Sequence, residues 1–259
     1  MEDNQITIEI NQGLTLTQNK NGLTFGSDAY LLAAFTQTLP YATSGRTMAD
    51  LGSGTGIIPL LCAEKKRFSE IYAIEIQESF AALIKTNAEQ NGFSDIITPI
   101  CNDIRDIKAQ ALGKEVDVVT ANPPYMKDNA GKRNAHDEKY IARHEVCGTV
   151  SDFCATAGKL LRYGGKFACV WRPDRLSELM AGLRDAGLEP KRMRFVHADL
   201  SSKPCVVLTE AIKGASPSVR ISPPLILYTP RVTGESKRTL TEEAARIYET
   251  GKMEDLPLI

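Results

Sequence analysis

Histidine and tryptophan are scarce in this chain: 259 residues hold three histidines and one tryptophan. His136, His144 and His197 are scattered and form no metal-ligand spacing. The six cysteines, Cys62, Cys101, Cys147, Cys154, Cys169 and Cys205, contain no C-x-x-C pair. Several lie in apolar runs, which points to buried free thiols in a reducing compartment and against a zinc site. Net charge is nearly absent, at −1. The chain is therefore no general polycation for nucleic acid, although a local basic patch stays open. No apolar run is long enough to span a bilayer, and the start, Met1-Glu2-Asp3-Asn4, is polar and acidic rather than leader-like. The expectation is a cytoplasmic protein without a metal or a membrane anchor, a monomer by default.

What the chain does have is an alternation of strand and helix signals. Its length and its 42% apolar content suffice for one large α/β domain with small additions. Residues 5–17 alternate apolar and polar on either side of Asn11-Gln12-Gly13, which predicts a hairpin. Ser27 or Asp28 then caps a helix carrying Ala29, Leu32 and Ala33 on one side and stopping near Pro40, either a cover helix or a lid over a ligand. Strands are expected from Thr47, at 71–75, 96–101, 116–121 and 166–171, and near 190–198 and 204–212, with helical patterns between. Such alternation predicts an α/β fold with a mostly parallel sheet.

Two stretches carry chemistry. Asp50-Leu51-Gly52-Ser53-Gly54-Thr55-Gly56 follows a strand and precedes an apolar helix from Ile57 to about Lys65. Glycines let the backbone turn tightly and let a ligand approach a helix N-terminus. The G-x-G-x-G spacing with an acid before it would repel a pyrophosphate, so a ligand with an ammonium group, S-adenosylmethionine, fits better than a dinucleotide. About twenty residues beyond the glycines, Glu75 ends the next strand, where a carboxylate can take both hydroxyls of a ribose; Ile76 follows it. The following helix carries Phe80, Leu83, Ile84, Asn87 and Ala88 on one face and stops at Gly92. After the third strand, in which Pro99 is placed near the start, Asp103 can accept from an adenine amine while Ile104 packs on the ring. A cap on a helix at 104–111 explains Asp103 nearly as well.

The second stretch is Asn122-Pro123-Pro124-Tyr125, directly after the apolar run 116–121. Proline fixes φ and removes a backbone donor, so neither helix nor central strand continues through the pair. Asn122 is thereby held at the carboxyl end of a strand, the edge where ligands bind in open α/β sheets. An amide, rigid carbonyls and an aromatic face suit a flat molecule with an NH2 group. Residues 126–148 are a polar, charged segment, either a solvated loop or a clamp on a substrate. From Lys159 to Arg238 there are 15 Lys and Arg against 7 Asp and Glu. This asymmetry suggests either a basic face for phosphates or a solvated surface. Candidate RNA contacts are Lys127, Arg133, Arg143, Arg172, Lys191, Arg192, Arg194 and Lys203.

These residues resemble class I S-adenosylmethionine-dependent methyltransferases of the N-P-P-Y amino-methylating kind. More narrowly, the chain resembles the bacterial tRNA(Val) adenine N6-methyltransferase family. The resemblance rests on Phe25-Gly26-Ser27-Asp28-Ala29-Tyr30-Leu31-Leu32, on residues 50–61, on Asn122 to Tyr125, and on Ser201-Ser202-Lys203-Pro204 with Lys213-Gly214. It covers roughly residues 10–250. It implies a Rossmann-like class I methyltransferase fold with a mostly parallel seven-stranded sheet, helices on both faces and a short N-terminal extension. The organisation expected is 1–45 as hairpin and cover helix, 46–235 as methyltransferase domain and 236–259 as helical tail. It implies S-adenosylmethionine at Asp50, Gly52, Gly54, Gly56, Glu75, Ile76, Asp103, Ile104 and Asn122, with Asn122, Pro123, Pro124 and Tyr125 as the catalytic tetrapeptide. The acceptor implied is an adenine beside a tRNA anticodon. A protein glutamine, an rRNA guanine, or a non-catalytic RNA-binding role are the alternatives.

Overall fold

A computed structural model describes residues 5–11, 13–20, 27–37, 45–123, 148–230 and 238–254. Pro124, Tyr125, Lys127, Arg133, Arg143, the Phe25-Gly26 pair and the segment 126–147 lie outside the described residues. Strands β1 (Gln5–Asn11) and β2 (Leu14–Asn19) form the expected antiparallel hairpin. Helix α1 (Ser27–Gln37) follows. Then β3 (Thr47–Leu51), α2 (Ile57–Glu64), β4 (Glu70–Glu75), α3 (Glu78–Gln90), β5 (Ile97–Cys101) and β6 (Val116–Ala121) alternate. Helix α4 (Val150–Leu160), β7 (Leu161–Trp171), α5 (Leu176–Asp185), β8 (Leu188–His197) and β9 (Pro204–Lys213) complete the main body. Two-residue strands β10 (Arg220–Ile221) and β11 (Leu225–Ile226) and the helix α6 (Glu242–Thr250) close the described chain.

The seven longer strands of the main sheet lie in the order β5-β4-β3-β6-β7-β9-β8, and β10 and β11 both pair with β8. All neighbours are parallel except β9, which runs antiparallel to β7 and to β8. Alternate residues point to opposite faces of a strand, and both faces here are covered, so the strands read as continuous apolar runs. Met48, Val118, Val170 and Leu208 face a core shared with α1, α2, α6 and the hairpin residues Leu14 and Leu16. Ala49, Val119, Phe167 and Val207 face a second core built from α4 and α5. Helix α4 starts on a capping box, with Thr149 and Asp152 satisfying each other's orphan donors.

Three details depart from expectation. The helix expected at 104–111 is absent; only a 3-10 turn at Ala109–Leu112 forms. Pro99 lies mid-strand, opposite Ala73. It is tolerated there because β5 is the edge strand and needs no donor on its outer side. The helical pattern expected between the strands at 166–171 and 190–198 begins as a 3-10 turn, Pro173–Arg175, before α5. Among the described residues no helix is long and apolar enough to cross a membrane.

Candidate active site

The carboxyl ends of β3, β4 and β6 bring the two motifs together. Leu51 of β3 is in register with Ala121 of β6. Asn122 therefore emerges beside Gly52, on adjacent strands about 4.8 Å apart. Asn122 is half-buried and Pro123 buried.

The glycine loop is held from several sides. Gly52, Gly54 and Gly56 all adopt positive φ (68°, 57° and 83°), a conformation that costs other residues energy. The amides of Gly52 and Ser53 both donate to the Ile74 carbonyl, at 2.9 and 3.0 Å. The Gly54 amide donates to Glu75 Oε2 at 2.9 Å, and the Gln77 amide to Oε1 at 3.0 Å. A Cβ on Gly56 would lie 3.3 Å from Ile84, so α3 packs directly on the loop; a Cβ on Gly54 would meet nothing within 4 Å. The loop is thus closed on the α3 side and open at Gly54.

Asp50 is enclosed rather than presented. It is 1% exposed. Ser53 Oγ donates to Oδ2 and Thr120 Oγ1 to Oδ1, both at 2.6 Å. Burial pushes its pKa up to about 7, against the two hydroxyl donors, with Glu75 adding a smaller upward push. Its carboxylate braces β3, the loop and β6 together.

Glu75 is 5% exposed. A carboxylate offers about four acceptor positions, of which two backbone amides use two here; the remainder suit a ribose diol. Ile76 is half-exposed beside it. Asp103 is engaged by Arg105, whose Nε lies 2.9 Å from Oδ1 and 3.0 Å from Oδ2. That guanidinium holds the Asp103 carboxyl below the usual range. Ile104 differs from expectation. It is 5% exposed and belongs to the core beneath α4, its carbonyl accepting from Thr156 Oγ1 at 2.8 Å. Its side chain is core rather than a platform for a ring.

The basic candidates separate into groups. Arg172 directly follows β7, and Lys203 sits exposed in the β8–β9 connection, both at the carboxyl edge of the sheet. Lys191 lies six residues before the end of β8, about 20 Å back along the strand, and donates to Ser216 O and Ser218 Oγ. Arg192 and Arg194, expected at an RNA-facing surface, are instead buried. They are 4% and 3% exposed. Arg192 pairs with Glu210 at 3.3 Å, donates to the Phe35 carbonyl at 2.8 Å and lies over the Phe35 ring at 3.9 Å. Arg194 pairs with Glu243 of α6 at 2.7 Å. Both tie α1 and α6 to β8 and offer no charge to a phosphate.

Several residues escaped the sequence reading. Ser53 and Thr120 position Asp50. Trp171 and Arg175 join Pro123 in lining a cavity of about 360 Å³ between α4 and α5. The single tryptophan at a strand end was the available signal. Among the described residues no group of His, Cys, Asp and Glu could hold a metal ion.

An open, mostly parallel sheet with a final antiparallel strand, a glycine loop after β3, an acid ending β4 and Asn-Pro ending β6 defines a Rossmann-like class I methyltransferase. The comparisons agree and narrow it: residues 21–182 match the methyltransferase small domain model, and the chain belongs to that family. A tRNA1(Val) (adenine(37)-N6)-methyltransferase of Porphyromonas gingivalis is 29% identical over 71% of this chain and 72% of its own length. One from Phocaeicola vulgatus is 28% identical over 75% and 79%. Among solved structures, a protein of Agrobacterium tumefaciens described as a predicted O-methyltransferase superposes with a TM-score of 0.67 at 21% identity, covering 87% of this chain and 97% of that one; it shares the fold.

Proposed function

We propose that the protein methylates the exocyclic N6 amine of an adenine in tRNA, beside the anticodon, with S-adenosylmethionine as donor. The observation that carries this reading is the placement of Asn122 beside the glycine loop on adjacent strands. The names of the curated relatives support the adenine and the tRNA.

The residues present fit the cofactor. Gly54 leaves open space where a side chain would stand, and Glu75 keeps acceptor capacity for the ribose hydroxyls. Ile76 offers an apolar edge to the adenine ring, Asp103 a carboxylate to its amine, and Asp50 holds the loop in shape. Bound S-adenosylmethionine supplies an electrophilic methyl group on a sulfonium.

The acceptor side follows from the chain's own groups. The Asn122 amide oxygen and the Pro123 carbonyl accept the two hydrogens of the amine. These bonds draw the nitrogen lone pair out of conjugation and aim it at the glycine loop. Tyr125, by its place in the sequence, supplies an aromatic face for the base. Rate enhancement comes from positioning and from hydrogen bonds that strengthen as positive charge develops on nitrogen. The alkylated nitrogen is acidic and loses its proton afterwards, so no strong base is required. The base must leave its stack, at a cost of a few kcal/mol. An unpaired anticodon-loop adenine keeps that cost low. Arg172 and Lys203 flank this edge and are assigned to the RNA backbone.

Transfer of labelled methyl from S-adenosylmethionine to bulk tRNA, rRNA, DNA and protein in parallel, with nucleoside analysis, tests the proposal. N6-methyladenosine in tRNA is expected. Label in a protein glutamine or in rRNA guanine would keep the pocket chemistry and discard the substrate.

A further inference from the structure

The hairpin is held against the main body by side-chain amides that imitate a strand. The Thr17 amide donates to Asn87 Oδ1 at 2.7 Å, and Asn87 Nδ2 donates back to the Thr17 carbonyl at 3.0 Å. One turn on, Asn91 repeats the pattern: the Thr15 amide donates to Oδ1 at 2.9 Å, and Nδ2 returns to the Thr15 carbonyl at 2.8 Å. A carboxamide carries the same donor and acceptor as a peptide group. Four residues of helix rise about 6 Å, and two residues of strand about 7 Å. Asn87 and Asn91 therefore match alternate residues on the outer edge of β2.

Asn87 does one thing that Asn91 does not. Its second Nδ2 hydrogen goes to the carbonyl of Thr55, at 2.9 Å, inside the glycine loop. The second hydrogen of Asn91 goes back to its own helix, at the Asn87 carbonyl. Asn87 is fully buried. Three residues before it, Ile84 is the side chain packed against Gly56. One face of α3 thus grips the loop at Thr55 and Gly56, and the same carboxamide grips the hairpin.

We propose that Asn87 is a positioning residue that joins the N-terminal hairpin to the cofactor loop, so that cofactor binding and hairpin docking are one coupled equilibrium. The inference rests on the reading of residues 52–56 as the S-adenosylmethionine loop. A ligand that orders Thr55 favours the Asn87 rotamer that also holds Thr17. Linkage makes the effect reciprocal: whatever secures the hairpin tightens the cofactor.

Amide hydrogen exchange on the full chain, with and without saturating S-adenosylhomocysteine, tests this, with binding followed by calorimetry. The Thr17 amide should exchange roughly five- to tenfold more slowly in the complex. Asn87→Ala should abolish that protection and weaken binding by a similar factor. Asn91→Ala loosens the hairpin without cutting the bridge from Asn87 to Thr55; it should retain the ligand-dependent protection at Thr17 and, because the hairpin is held less firmly, weaken binding by a smaller factor than Asn87→Ala does. If Asn87→Ala does not fold, the parent protein decides alone. Binding by calorimetry with no change at Thr17 would overturn the coupling while leaving the cofactor reading intact. Absence of any binding would overturn both.

Discussion

Thr120→Val isolates one bond to the buried Asp50. The substitution is nearly isosteric, at a site with no exposed surface, and it removes the hydroxyl that donates to Oδ1 at 2.6 Å. Burial has raised the native pKa of Asp50 from 3.8 to about 7, and the Thr120 hydroxyl is one of two donors opposing that rise. The sign follows. An acid whose native pKa lies above its unfolded value costs stability as pH rises from about 4 to about 7, because it must ionise out of water. Well below its native pKa of about 7 the folded protein holds Asp50 protonated, and losing the hydroxyl removes a neutral hydrogen bond worth about 0.5–1.5 kcal/mol. Above that pKa Asp50 is ionised, and the same loss is that of a bond to a charge, about 1.5–3 kcal/mol. The native pKa should also move up, by about one unit for each 1.4 kcal/mol lost from the ionised form alone. Urea unfolding of both proteins at pH 5 and pH 8 reads this directly, with the larger loss expected at pH 8. An equal loss at the two pH values would refute the reasoning, since it would mean that the hydroxyl does not discriminate between the two forms of Asp50.

Asn122→Ala should leave S-adenosylmethionine binding near its parent value and lower turnover by about two to three orders of magnitude, read by calorimetry beside single-turnover kinetics. Gly54→Ala should cost only about 1–2 kcal/mol for its left-handed φ, yet lose cofactor binding, because its new methyl enters the open side of the loop; retained binding would remove Gly54 from the cradle. Lys203→Ala should reduce the salt dependence of tRNA binding by about one counterion, with the fold unchanged in a thermal melt. Arg192→Met should do the opposite. It leaves Glu210 buried with Lys166 as its remaining ion-pair partner among the described residues and should cost about 3 kcal/mol of stability, while the salt slope stays at its parent value.

Much of this was legible because the local signals agree with one another. The run from Thr47 to Gly56 is strand, then glycine turn, then apolar helix, and each part forms as its residues dictate. Asn122 was placed correctly at a strand end because two prolines allow nothing else. Arg192 and Arg194 were misread because a charge count ignores strand alternation. They share a face of β8 with Val196, which lies in the core, and Glu210 stands directly opposite Arg192 on β9. A glutamate inside the apolar run 206–212 was a request for a buried partner. Ile104 was misread because the turn that follows β5 is set by packing under α4, which no local pattern reveals. Asn87 stood in plain view on an apolar helix face. A carboxamide there must find partners, but their identity depends on a hairpin some seventy residues earlier in the chain.

The two ends of the main sheet carry a consequence of their own. An open sheet exposes unpaired amides and carbonyls along each outermost strand, and such rows recruit strands from other molecules. Here one outermost strand contains Pro99, which has no amide to offer, and spans only five residues. At the other end, β10 and β11 lie along β8 as two short splints of two residues each. Neither border offers a long, regular template. The main sheet is thereby guarded against stacking edge to edge with another copy, and the guard consists of a single ring nitrogen on one side and four residues on the other.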